Sequence, residues 1–196
     1  MDKLKFFLVF FLIWVFFIHE RTVTYGEGVV APAEPIQKKS TATPFLFKQH
    51  YTVTPLADFS IEARILAKER YRFDQSAELS PIDLVLGWGK MSDEAVLAEI
   101  DISQGNRWYY WQTDTFPVSR HEIETHSANM HLIPQNDEIE DKLLKLHVGE
   151  IVKISGYLVK IDGHDGMYWQ SSLSRSDTGA HACEVVFVKE VEVKER

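Results

Sequence analysis

Four groups of residues in this sequence have types and spacing that could do chemistry. His121, His126 and His131 recur every five residues beside Glu122 and Glu124, and imidazole with carboxylate is a zinc-binding combination. Five residues of helix turn through about 500°, leaving successive histidines ~140° apart, so the i, i+4 pairing of helical zinc sites is absent. No metal site is predicted. Cys183 could act as a nucleophile with His181 two residues before it, or with His126 or His131 brought across the fold. A working thiolate needs an accessible, electropositive setting. Cys183 instead precedes Glu184 and the run Val185-Val186-Phe187-Val188, which predicts a small, buried, inert side chain. The third group is Ser171-Ser172-Leu173-Ser174-Arg175-Ser176-Asp177-Thr178-Gly179. Its hydroxyls and Arg175 can line a pocket that holds a carboxylate or phosphate, or they can build a loop in which Asp177 folds onto backbone amides. The fourth is His126-Ser127-Ala128-Asn129-Met130-His131, read as a break in which Asn129 bonds backbone. If the last two segments meet, His126, Ser127, Asn129, His131, Ser174, Arg175, Asp177 and Thr178 form the candidate binding site.

Catalytic motifs are missing. A serine nucleophile at Ser172 or Ser174 lacks the G-x-S-x-G elbow, and neither a P-loop nor a dinucleotide fingerprint occurs. The single cysteine excludes an intramolecular disulfide and cysteine-rich metal sites. No catalytic residue, metal or cofactor is assigned.

The elements that must position these residues follow from periodicity. Phe59, Ile61, Ala63 and Ile65 alternate with polar residues as a strand. Ser80-Pro81-Ile82-Asp83 has the form of a helix start, and Ser92-Asp93-Glu94 repeats it. Arg107–Gln112 reads as an aromatic strand with Trp108 and Tyr110 on one face, Tyr109 and Trp111 on the other. Asn136 caps a helix from Asp137 to Leu146 with Ile139, Leu143 and Leu146 on its apolar face. A strand containing Gly156 follows, then a hairpin through Asp162-Gly163 and Asp165-Gly166, and a last strand from Cys183 to Val193. The expected class is α+β: a small, partly open, OB-like antiparallel barrel with two or three short helices behind one N-terminal hydrophobic helix.

Lys3 and Lys5 precede Phe6–Ile18, an uninterrupted run of 13 apolar residues. This order addresses the chain to a membrane with the N-terminus inside. Thirteen helical residues rise only ~20 Å, the length of a signal-peptide core, yet Glu20 and Arg21 follow directly and no good cleavage site is in reach. Residues 1–25 are therefore read as a signal-anchor, with periplasmic release after cleavage as the alternative. Residues 26–55, holding Pro32, Pro35, Pro44 and Pro55, are read as linker, and 56–196 as the extracytoplasmic domain. The first 42 residues are net +1 within a chain of −8, so the remainder carries −9. Phosphate contacts dominate nucleic-acid affinity, so a domain at −9 would need a strongly segregated basic face, and nucleic acid is not the expected partner despite Arg107-Trp108-Tyr109-Tyr110-Trp111.

The segments S-P-I-D-L-V-L-G-W-G, H-S-A-N-M-H-L-I-P and S-S-L-S-R-S-D-T-G-A-H-A-C-E resemble a bacterial family of N-terminally membrane-anchored or secreted proteins. The resemblance covers most of residues 59–188, implies a bacterial envelope setting and assigns no residue a role. The expectation is a non-catalytic domain that binds an envelope protein or small ligand outside the cytoplasmic membrane. A small hydrolase pairing a histidine with Cys183 or a serine is the alternative.

Overall fold

The computed structural model describes residues 22–73, 76–164, 166–174 and 183–194. The run Phe6–Ile18 lies outside them, as do Arg175, Asp177, Thr178 and His181. Among the described residues no helix is long and apolar enough to cross a membrane.

In chain order the elements are β1 (Ile36–Lys39), β2 (Phe45–Phe47), β3 (Tyr51–Arg70), β4 (Ile82–Gly87), a 3-10 turn (Gly89–Ser92) and α1 (Glu94–Leu97). Then come β5 (Asp101–Gly105), β6 (Trp108–Gln112), α2 (Arg120–Thr125), β7 (Ser127–Pro134), α3 (Asp137–Leu144), β8 (Ile151–Gly163), β9 (Tyr168–Gln170) and β10 (Glu184–Val193). The described chain is mostly strand, with three short α-helices in the connections. Five strands close a ring in the order β3-β4-β7-β10-β8 and back to β3; β7 and β10 are parallel and the other pairs antiparallel. β3 gives one edge to β8 and shares the other among β2, β1 and β4.

All five ring strands contribute to one core, with Phe59 and Ile61 from β3, Leu84 from β4, Leu132 from β7, Ile154 from β8 and Val186 from β10. Each such side chain adds about 1.5–3 kcal/mol on burial. Ile139 and Leu143 of α3 join that core, and the Asn136 side chain accepts from Ile139 N–H at 3.0 Å, the cap the sequence predicts. A second core, with Tyr51, Val53, Ile133, Val159, Val185 and Phe187, lies on the other face of the ring. β3 serves both because its register with β8 shifts between Pro55 and Ala57. The extra residue, Leu56, moves odd-numbered side chains from the outer core to the inner one.

Three expectations are corrected. Ile82–Gly87 is a strand, not a helix: all six residues are buried, and Ser80 Oγ meets Asp83 Oδ1 at 3.2 Å instead of capping helical amides. Ser127–Pro134 is not a break but the central strand β7. Residues 26–55 carry β1, β2 and the start of β3 where a linker was expected, and hydrogen bonds tie down the approach to them. Ser92 Oγ accepts from Val30 and Ala31 N–H, Asp93 from Gly28, and Glu94 from Tyr25 and Gly26. Arg64 joins this anchorage through Glu94 at 3.1 Å.

Candidate functional site

β4 and β7 are buried on both faces, apart from half-buried Ala128. Strands in that position usually read as continuous apolar runs. Their inner faces do, but the outer face presents Asp83 from β4 and Ser127, Asn129 and His131 from β7. Asp83 and His131 are directly opposite in the ladder. Burying a carboxylate costs several kcal/mol unless charge and hydrogen bonds compensate, so this face dictates what must cover it.

The cover is the β5–β6 hairpin, a two-stranded sheet separate from the ring, together with Tyr71, Ser80 and Trp169. Asp83 is fully buried; its Oδ1 accepts from Arg107 NH1 at 2.9 Å and from Ser80 Oγ at 3.2 Å. Arg107 NH1 also reaches the Ser80 carbonyl at 2.9 Å. His131 Nδ1 lies 2.9 Å from Asp83 Oδ2, an ion-pair distance whose alignment falls short of a hydrogen bond. The Trp169 ring packs against the imidazole, centroids 4.6 Å apart. The Arg107 guanidinium stacks on Tyr71 at 3.7 Å and approaches Trp169 at 5.8 Å. Burial first, and then the charge of Asp83, push the Tyr71 phenol up to about 12, so it stays neutral.

The hairpin tip is held by its backbone as well. Arg107 N–H donates to Tyr71 Oη at 3.0 Å, and the Arg107 carbonyl accepts from Asn129 Nδ2 at 3.0 Å. Gln104 Nε2 in turn donates to Asn129 Oδ1 at 2.7 Å. Asn106 and Arg107 form the two-residue turn at φ of 53° and 68°. The second position of such a turn ordinarily takes glycine. An arginine there costs roughly 1–2 kcal/mol of backbone strain, offset by what its side chain does in the groove. Farther along, Tyr109 Oη and Ser127 Oγ meet at 2.9 Å, and burial of that phenol raises its pKa. The alternation predicted for the aromatic strand is observed, with Trp108 and Tyr110 exposed and Trp111 packed against a third apolar cluster.

Of the predicted site residues, Asn129 and His131 lie in this network and Ser127 borders it. His126 does not: its Nε2 pairs with Glu34 Oε1 at 3.0 Å, beside Trp88, whose Nε1 donates to the same carboxylate. Ser174 closes a local turn, its N–H donating to Ser172 Oγ at 2.9 Å. The stretch it belongs to does approach β7: Ser171 Oγ accepts from Val185 N–H at 3.1 Å, and Val185 is the ladder partner of His131. Arg175, Asp177 and Thr178 lie outside the described residues. Cys183, expected to be buried, is half-buried at the residue before β10. Among the described residues no three His, Cys, Asp or Glu side chains are arranged to hold a metal ion.

Sequence reasoning missed Tyr71, Asp83, Gln104, Arg107 and Trp169. Two signals were present: an acid inside the apolar run Ile82-Asp83-Leu84-Val85-Leu86, and arginine following Gly105-Asn106 where a second glycine is usual. An open cleft of about 400 Å³ between Lys38, Asp58, Tyr157 and Lys189 lies away from this network. Its acids are engaged locally, Asp58 with Ser40 at 2.7 Å and Glu190 with Ser155 at 3.0 Å.

No protein-family model matches this chain, and no curated protein and no solved structure is significantly similar to it.

Proposed function

We propose that this chain is a membrane-anchored envelope protein whose OB-like barrel binds a protein partner or small ligand outside the cytoplasmic membrane, without catalysis. The barrel reading is supported by the ring order, by the one parallel pair and by a helix between the third and fourth ring strands. OB folds bind ligands on the face of their second and third strands, between the connections that flank it. Here those strands are β4 and β7. The observation that carries the reading is the buried polar face they present: Asp83, Asn129 and His131 between Tyr71 on one connection and Trp169 on the other. The charge order of Lys3, Lys5 and Phe6–Ile18 supports the location.

The test is photocrosslinking in intact cells from a reactive side chain at Trp108 or Tyr168, both exposed and next in sequence to Arg107 and Trp169 of this face, with Lys142 on α3 as control. Discrete adducts from the first two positions and none from the third are expected. Equal labelling at all three removes the assignment of this face. One contact favours the hydrolase reading: the 2.9 Å approach of Asp83 to His131, which could orient an imidazole toward half-buried Cys183 or Ser172. Rapid native alkylation of Cys183, or labelling of Ser172 by a fluorophosphonate, abolished in His131→Ala, would favour that alternative.

A further inference from the structure

Resting on the binding reading above, we propose that the groove between Tyr71, Asp83, His131 and Trp169 is an arginine-binding site. In this structure the chain's own Arg107 fills it, and the partner presents an arginine-bearing polypeptide segment that exchanges with it. What the groove holds is a whole arginine residue, not merely a cation. Its guanidinium is stacked on Tyr71 and ion-paired to Asp83, its N–H is taken by Tyr71 Oη, and its carbonyl is taken by Asn129. These are the contacts that any peptide arginine offers.

Three further observations make the occupant exchangeable. The hairpin is its own two-stranded sheet and shares no ladder with the ring, so its tip can lift without breaking ring pairing. The tip carries two non-glycine residues at positive φ, so the hairpin is strained where it enters the groove. The fit is also incomplete. Asp83 Oδ2 and Gln104 Oε1 are buried without an aligned hydrogen bond, and Arg107 reaches Asp83 through NH1 to Oδ1 alone. A guanidinium free of the turn can present both nitrogens of its fork to both carboxylate oxygens. The acidic excess of the chain attracts a basic segment, and exposed Trp108 and Tyr168 are the chain neighbours of Arg107 and Trp169.

The experiment titrates the full-length protein in detergent with N-acetyl-arginine methylamide and, in parallel, with its citrulline counterpart, followed by calorimetry. Arg107→Ala is expected to bind the arginine compound at least tenfold more tightly than wild type, because the competing side chain is gone. The citrulline compound is expected to bind neither. Asp83→Asn in the Arg107→Ala background should lose the binding. Equal affinity in wild type and Arg107→Ala, equal affinity for citrulline, or binding that survives loss of Asp83 each overturns the proposal. Should Arg107→Ala fail to fold, Asn106→Pro, which forbids the positive φ of the turn, opens the same groove and must show the same tenfold gain. In wild type, saturating arginine compound should speed amide exchange over residues 101–112, and no change there counts against exchange of the tip. Adducts from Trp108 with no arginine binding would retire the ligand class and leave the binding face standing.

Discussion

Replacing Asp83 by asparagine removes one charge from the centre of the network and little volume. The carboxylate is fully buried, accepts from Arg107 and Ser80, and lies against His131. Breaking a buried pair on one side typically costs 3–5 kcal/mol, because the remaining charge is left without compensation. Three features argue for the low end. The Arg107 side chain keeps 15% of its exposure to water, and its stacking on Tyr71 survives the substitution. The amide oxygen of asparagine can also still accept from NH1. A loss of about 3 kcal/mol follows, and at about 2–4 °C per kcal/mol for a chain of this size the melting temperature should fall by roughly 6–12 °C. Calorimetry of Asp83→Asn, Arg107→Ala and the double variant separates a coupled network from independent residues. If the pair acts as a unit, the double variant should be less damaged than the sum of the singles by about 2 kcal/mol. A fall below 2 °C in Asp83→Asn, or strict additivity in the cycle, would refute the claim that this ion pair holds the hairpin to the ring.

Glu94→Gln should loosen the segment 22–31 and cost about 1–2 kcal/mol, since Glu94 accepts from Tyr25, Gly26 and Arg64. The backbone N–H of Tyr25, and then the Arg64 charge, lower the Glu94 pKa from 4.5. Its contribution is therefore complete above pH 4.5 and lost as the pH falls through the lowered value, so wild-type and variant melting temperatures should converge in acid and separate above it. In Gly156→Ala the new methyl would sit 2.0 Å from the Phe187 carbonyl oxygen, a backbone atom fixed by the β8–β10 ladder. A loss of about 3 kcal/mol in urea unfolding is expected, and a silent substitution would show that this crossing is looser than described. A phosphatase reporter fused after Arg196 should be active only outside the cytoplasmic membrane, and activity inside would reverse the orientation derived from Lys3 and Lys5.

What could be read from the sequence was what is local. Helix α3 announces itself through Asn136 and the spacing of Ile139 and Leu143, and the two faces of β6 follow from alternation alone. The same local logic misplaced Ser80-Pro81-Ile82-Asp83, because a serine followed three residues later by an acid satisfies a capping rule whether or not the acid has a stronger claim on it. The stretch before β3 looked like a tether because it docks through its backbone. The amides of Tyr25, Gly28, Val30 and Ala31 do the bonding, and backbone amides leave no pattern in side-chain composition.

The site itself joins Tyr71, Asp83, Arg107, Asn129, His131 and Trp169, drawn from three strands, a turn and the end of a fourth strand, and only ring closure makes them neighbours. No single segment encodes that meeting. Each half of it nonetheless leaves a mark. A carboxylate between Ile82 and Leu84 cannot be buried on both sides of a strand without a cation arriving from elsewhere in the chain. An arginine in a turn that favours glycine incurs strain that the turn alone gives no reason to bear. Each anomaly is weak when taken alone. An unexplained buried acid and an unexplained strained cation in one small domain are each other's simplest explanation, and that pairing locates the groove before any contact is measured.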